Sequence, residues 1–171
     1  MSELFQPLLD FMDRGGPVMW PMMLTTGLLW WLIVERLWFN TRQFPVVRAQ
    51  AVAEWSERSD RSSWYADLVR RMHISELEAA LAERLKIINT LIALLPMFGL
   101  LGTVTGMLHV FEVMAFLGSG NPRALATGVS AATIPTMAGM VIALVALPFA
   151  NRLEHFARQS RRGLPESFTR E

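Results

Sequence analysis

The polar groups that could do chemistry in this chain are hydroxyls and one imidazole, and they lie inside two long apolar stretches, residues 87–111 and 124–151. In chain order these groups include Thr103, Thr105, His109, Ser130, Thr133 and Thr136. Such groups can carry protons along hydrogen bonds and water, and in hydrocarbon each needs a partner or a wet cavity. Neither stretch contains an acidic residue, so a proton relay here needs an acid from another chain.

Motifs for catalysis are absent from the sequence. It has no Gly-rich loop before a lysine, no HExxH, no GxSxG and no paired carboxylates within the apolar stretches. It contains 0 cysteines, so thiolate metal sites are excluded, and its 11 methionines are scattered as adaptable packing residues. We expect no enzyme activity, no catalytic residue, no metal and no cofactor.

Three uncharged segments must position the hydroxyls. Residues 15–34, 87–111 and 124–151 carry no formal charge when His109 is neutral, and each reaches the roughly 20 residues that a helix needs to cross a bilayer. With 52% hydrophobic residues, the chain is predicted to be an all-α membrane protein with three transmembrane helices.

Basic residues indicate the orientation of these helices. Of the 16 lysines and arginines, all except Arg14 and Arg123 lie in residues 35–86 and 152–171. Cytoplasmic segments carry such an excess, so the N-terminus is predicted outside and the C-terminus inside, in a multi-pass membrane protein.

The chain divides into seven predicted segments. They are a periplasmic amphipathic helix at 1–14, the first transmembrane helix at 15–41, a cytoplasmic helical segment at 42–75, a long helix with the second span at 76–117, a periplasmic turn at 118–123, the third transmembrane helix with a cytoplasmic extension at 124–160, and a cytoplasmic tail at 161–171. A capping box of Ser75 and Glu78 predicts that the long helix begins at Glu76 and continues unbroken into the membrane. In the first helix, Thr25 and Thr26 can bond to carbonyls of their own helix.

Small residues mark one face of the second span. On a helix, Gly99, Gly102, Gly106 and His109 fall within an arc of about 80°, with Thr103 at its edge. Such a strip serves close packing, water or both, and we predict that these glycines, with Pro96 and Pro135, are packing residues of the pore helices.

Two motifs carry a family resemblance. Residues 96–106, PMFGLLGTVTG, and residues 128–139, GVSAATIPTMAG, in this order and topology, resemble the MotA/TolQ/ExbB proton-channel family, most closely its short ExbB-type members. MotA-type members fit less well, because they have four crossings and a larger cytoplasmic loop.

This resemblance implies a homopentamer in the inner membrane whose second and third helices line a central pore. The pore would hold two copies of an ExbD-like single-span partner that carries a membrane aspartate, and proton flow would energise a TonB-like protein. Thr103 and Thr136 match the family's pore threonines, expected to hydrogen-bond that aspartate or its water; Thr105, Ser130 and Thr133 are further candidates for the proton pathway. Bonding of these hydroxyls to their own helix is the alternative.

The sequence departs from longer ExbB-type proteins at two positions. Ala131 stands where they have a glutamate, so no role of that carboxylate transfers. His109 stands where they have an asparagine, and its spacing from Glu112 predicts a titratable pair at the outer end of the helix. That pair is either a local ion pair or a place where protons join the pathway.

Two other functions stay open. A TolQ-like subunit would power Tol-Pal envelope function, and a passive scaffold would only gather a single-span partner. Phospholipid is an expected partner of the arginines near the membrane, whereas nucleic acid is not expected.

Overall fold

A computed structural model of the chain describes residues 2–58, 63–117 and 122–168. All regular structure in these residues is helical. The elements are α1 (Ser2–Gly15), α2 (Met19–Trp38), a π-helical turn (Phe39–Gln43), α3 (Phe44–Ser56), α4 (Trp64–Ala82), α5 (Leu85–Leu117) and α6 (Pro122–Ser167). The predicted turn at 118–123 falls mainly on residues 118–121, which lie outside the described part of the chain.

Within the described residues, three helical segments are long and apolar enough to cross a membrane: Met19–Ser56, Trp64–Phe116 and Ala126–Pro165. The prediction of an all-helical membrane protein with three spans is therefore confirmed. The chain divides into two compact units, which are described separately. The first unit contains Met1–Trp30 and Asn89–Leu147, and the second contains Trp31–Ile88 and Pro148–Glu171.

In the first unit, α5 and α6 pack through stripes of small residues. The buried positions of α5 recur every three or four residues at Ile92, Leu95, Gly99, Gly102, Gly106 and Val110. Those of α6 follow the same spacing at Gly128, Ala132, Pro135, Gly139, Ala143 and Ala146. Spacing of this kind places one face of each helix against the other, and small side chains let the two backbones approach closely.

The first crossing, α2, lies against α6 in this unit. The sulfur-bearing side chain of Met22 reaches to 3.5 Å from the position that a Cβ on Gly139 would take. Its opposite side exposes large apolar side chains, among them Trp20, Leu24 and Leu28. Thr25 and Thr26 donate to the carbonyls of Pro21 and Met22 at 2.7 and 2.8 Å, as the sequence predicts.

In the second unit, α4 begins earlier than predicted and does not run into the membrane unbroken. Ser63 caps its start by accepting a hydrogen bond from the backbone N–H of Tyr65. Ser75 lies inside α4, so the predicted capping box does not mark the start of a helix. The prediction of one helix over 76–117 is therefore wrong. The apolar repeat that buries Leu77 and Leu81 extends upstream to Ala66, and this burial outweighs the local capping signal.

The break between α4 and α5 lies at Glu83 and Arg84. Arg84 has a φ of 63°, a left-handed conformation that ends a helix. Arg36 of α2 donates from Nη1 to the carbonyl of Ala80 at 3.1 Å, the carbonyl that an unbroken helix would pair with the N–H of Arg84. The guanidinium of Arg36 also lies 3.1 Å from Glu83, and Arg84 pairs with Glu35. Tertiary ion pairs therefore hold this break in place.

A core of eight buried residues joins α3, α4 and the end of α6 in the second unit: Phe44, Trp55, Ala66, Leu77, Leu81, Ala157, Leu164 and Phe168. Arg70 donates to the carbonyls of Phe168 and Pro165 at 2.7 and 3.0 Å. The predicted tail at 161–171 is therefore helical as far as Ser167, because burial of Leu164 and Phe168 and the bonds from Arg70 stabilise the end of α6.

Candidate functional site

The hydroxyl of Thr136 on α6 donates to the carbonyl oxygen of Gly99 on α5 at 2.9 Å. Gly99 lies at the middle of the uncharged residues 87–111, and Thr136 lies close to the middle of residues 124–151. The bond therefore joins the two spans at mid-membrane depth. Its donor is satisfied across the helix interface, which suits a hydroxyl in a region without bulk water.

Close backbone contact makes this bond possible. A Cβ added to Gly99 would lie 2.8 Å from the Cα of Thr136, and one added to Gly106 would lie 2.7 Å from the Cα of Ala132. At Gly102, the same atom would lie 2.5 Å from the Cβ of Pro135. Real Cβ atoms essentially never approach so closely. The glycine strip of α5 is thus the surface that packs on α6 within one chain.

Three other threonines bond to their own helices. Thr103 donates to the carbonyl of Leu100 at 2.7 Å, and Thr105 lies 3.1 Å from the carbonyls of Leu101 and Gly102. Thr133 lies 3.2 and 3.1 Å from the carbonyls of Val129 and Ser130. Thr136 therefore differs from these three in bonding across the interface, while Ser130 and Thr133 are exposed on the surface of α6.

The structure divides the predicted pathway residues between two places. Thr103 lines a shallow depression with Val104, Met107, Leu108 and Phe111. Thr105 instead lines a separate and larger cavity that also contains His109. Thr103 and Thr105 are two residues apart on one helix and therefore point in directions about 160° apart around its axis. The sequence prediction grouped them by residue type, although their helical spacing already separates them.

Toward the C-terminal end of α5, His109 Nδ1 lies 3.9 Å from Glu112 Oε2. Both side chains are largely exposed, at 70% and 72%. They form an ion pair only when the imidazole is protonated. An exposed pair of this kind contributes at most about 1 kcal/mol to stability, so a large structural role is not indicated.

Comparison with known families identifies the group to which these spans belong. Residues 45–164, from the start of α3 almost to the end of α6, match the MotA/TolQ/ExbB proton channel family. The chain belongs to this family. Family membership and three apolar spans make it a multi-pass protein of the bacterial inner membrane.

Several curated relatives of this family are named for ExbB. The chain is 30% identical over 172 residues to an ExbB-like biopolymer transport protein of Synechocystis sp., an alignment that covers 82% of this chain and 68% of that protein. It is 38% identical over 74 residues to biopolymer transport protein exbB1 of Vibrio cholerae, covering 43% of this chain and 32% of the relative. It is 33% identical over 85 residues to biopolymer transport protein ExbB of Aquifex aeolicus, covering 50% and 57%.

The chain thus spans about two-thirds of the Synechocystis relative and less of the other two. No solved structure matches it significantly. The comparisons agree with the resemblance to ExbB-type proteins that residues 96–106 and 128–139 carry, and both motifs lie within the matched region.

Proposed function

We propose that the chain is the channel and motor subunit of a proton-driven complex that energises TonB-dependent transport across the outer membrane. It would act with an ExbD-like single-span partner and transmit the proton motive force to a TonB-like protein. Membership of the proton channel family and the ExbB names of the relatives support this function.

The observation that carries the proposal is a hydrogen bond at mid-membrane depth in spans that contain no acid. Thr136 and Gly99 meet across two packed helices, whereas no aspartate or glutamate occurs in residues 87–111 or 124–151. Hydroxyls do not titrate near neutral pH, so a proton cannot cross on them alone. A partner helix must supply the carboxyl group that takes and releases the proton.

The hydrogen-bond geometry suggests what Thr136 and Thr103 offer that carboxyl group. A hydroxyl has one donor and two acceptor lone pairs, and both threonines use the donor on a carbonyl, that of Gly99 and that of Leu100. Their remaining lone pairs can accept a hydrogen bond from a protonated carboxylic acid or from water. They would therefore stabilise the neutral form of the partner's acid, which is also the form that costs less in hydrocarbon.

The proposed assembly is a homopentamer with α5 and α6 around a central lumen, N-terminus outside and C-terminus inside. Several side chains on these helices in the first unit are large, apolar and exposed, including Met97, Leu100 and Val104 on α5 and Met137 and Met140 on α6. Lipid, neighbouring copies and the partner helix would cover them. An apolar surface without interlocking polar groups would let the partner helix move. One charge that crosses a potential of 100 mV releases about 2.3 kcal/mol, which could then bias the position of that helix.

Proton flux in proteoliposomes tests this function against a passive scaffold. Three samples are reconstituted: the chain with its ExbD-like partner, the partner without the chain, and the chain with a partner whose membrane aspartate is replaced by asparagine. We expect a potential-driven proton flux only from the complete complex with the intact aspartate. Equal flux with the asparagine variant, or none with the complete complex, would contradict a channel.

A further inference from the structure

A cavity of about 770 Å³ lies in the first unit. It is bounded by the end of α1, the residues before α2, the C-terminal half of α5 and the N-terminal half of α6. Its polar wall residues are Asp13, Arg14, Thr105, His109 and Thr127. Neither the family resemblance nor the predicted pore assigns it a role. Of the predicted pathway residues, it contains Thr105 but not Thr103, Thr133 or Thr136.

The cavity reaches deep into the span. Gly102 lines its inner end and lies about 15 Å inward of Glu112 at 1.5 Å per residue. Half of the hydrocarbon core of a bilayer is also about 15 Å thick. On α5 the cavity is lined from Val113 to Gly102, and it therefore reaches about the middle of the membrane.

Its inner end lies beside the central hydrogen bond. Gly102 packs on the ring of Pro135. Gly99, one turn further along α5, accepts the bond from Thr136, the residue that follows Pro135. One layer of packed residues thus separates the cavity from the hydroxyl at mid-membrane depth.

The walls suit water better than lipid. Dry cavities in proteins are lined by apolar groups, whereas this one contains two charged side chains, an imidazole and two hydroxyls. Pro135 has no N–H for the carbonyl of Ala131, a residue that also lines the cavity. The volume is far above the 10–15 Å³ or so that one water molecule needs.

We propose that this cavity is a water-filled half-channel that admits hydrated protons from the periplasmic side to the middle of the membrane. Thr105, His109 and Thr127 hydrogen-bond its water, and the packed layer of Gly102 and Pro135 ends it. The proposal rests on the proposed function for its proton cargo and its orientation, but the presence of water in the cavity can be tested without measuring flux.

Single cysteines test the proposal cleanly because the chain contains 0 cysteines. Thr105→Cys and Thr127→Cys place a thiol in the wall of the cavity. Leu24→Cys is the matched control. Leu24 on α2 is 70% exposed and does not line the cavity. It lies seven residues inward of Pro17, the same number as separate Thr105 from Glu112. The complete complex in sealed vesicles is treated with the membrane-impermeant reagent 2-sulfonatoethyl methanethiosulfonate from either side, and labelling of the chain is followed by mass.

We expect the cysteines at 105 and 127 to react from the periplasmic side about ten times faster than the cysteine at 24. We also expect modification to reduce the proton flux of each variant severalfold relative to the same variant before treatment. Rates no faster than that of the control, faster reaction from the cytoplasmic side, or reaction only with the membrane-permeant N-ethylmaleimide, as for a lipid-filled cavity, would overturn the half-channel.

The two proposals fail in different ways. Unreactive cysteines in a complex that conducts protons would overturn the half-channel and leave the proposed function standing. Reactive cysteines in a complex that conducts no protons would overturn the proposed function, and with it the proton cargo of the half-channel. Rapid modification that leaves an existing flux unchanged would overturn the role of this water in proton transfer.

Discussion

Thr136 donates its hydroxyl proton to the carbonyl oxygen of Gly99 at 2.9 Å, and this bond joins α5 and α6 near the centre of their uncharged stretches. The absence of a side chain at Gly99 permits it, because a Cβ there would lie 2.8 Å from the Cα of Thr136. Gly99 therefore permits both the packing of α5 on α6 and the orientation of the Thr136 hydroxyl.

Replacing Gly99 by alanine is expected to destabilise the protein. The added methyl group would meet backbone atoms of Thr136 and Pro135, which cannot move aside as a flexible side chain can, and overpacking of this kind costs about 1–3 kcal/mol. The matched control is Gly27→Ala, because a Cβ on Gly27 meets nothing within 4 Å. Thermal unfolding in detergent measures the change. A Gly99→Ala protein as stable as the Gly27→Ala protein would show that the two helices are not packed this closely.

Removing the guanidinium of Arg36 is expected to destabilise the second unit. Its side chain is 3% exposed, donates to the Ala80 carbonyl and pairs with Glu83 at the break between α4 and α5. Arg36→Met leaves that carbonyl without its partner, at a cost of about 1–3 kcal/mol. Arg71→Met is the control, because Arg71 is 77% exposed in its pair with Asp67 and such pairs contribute about 0–1 kcal/mol.

Limited proteolysis in native membranes gives a second measurement for Arg36. Loss of the ion pairs should make the chain near Glu83 and Arg84 more accessible, so cleavage by a Glu-specific protease at Glu83 should rise in Arg36→Met and stay unchanged in Arg71→Met. Equal cleavage in the two variants would argue that the break is held by something other than Arg36.

The proposed orientation of the chain predicts opposite labelling at its two ends. A cysteine at exposed Asp10 on α1 should react with an impermeant reagent only from the periplasmic side, and a cysteine at exposed Arg162 only from the cytoplasmic side. Both variants lie outside the uncharged spans, so their helices should form normally. Labelling of Asp10→Cys from the cytoplasm would reverse the orientation, and with it the side on which the half-channel opens.

Much of the membrane-spanning part could be predicted from the sequence because length and lack of charge determine which helices can cross a bilayer. The glycine strip also indicated the packing face, since only small residues at Gly99, Gly102 and Gly106 allow two backbones to meet. The threonines were less informative, because a hydroxyl in an apolar helix looks the same in sequence whether it bonds to a carbonyl of its own helix, as Thr103 does, or to one of another helix, as Thr136 does.

The errors concern contacts between residues that are distant in sequence. The break at Arg84 depends on Glu35 and Arg36, almost 50 residues earlier, and no local signal at 83–84 announces it. The cavity was missed for a similar reason. Asp13 and Arg14 belong to the short helix that is predicted to be amphipathic and periplasmic, and only the fold brings them to the same walls as Thr105 and His109.

Proton flux through the reconstituted complex with Thr136 variants tests most directly whether this hydroxyl takes part in proton transfer. Thr136→Val keeps the shape of the side chain and removes the hydroxyl, and Thr136→Ser keeps the hydroxyl. Thr25→Val is the control for removing a threonine hydroxyl in a span, because Thr25 bonds only within α2 in the contacts observed. Loss of one hydrogen bond, worth about 1–1.5 kcal/mol, corresponds to a decrease of about tenfold in flux. We expect that decrease in Thr136→Val with assembly intact, and flux close to wild type in Thr136→Ser and Thr25→Val. Undiminished flux in an assembled Thr136→Val complex would contradict a role of this hydroxyl in proton transfer.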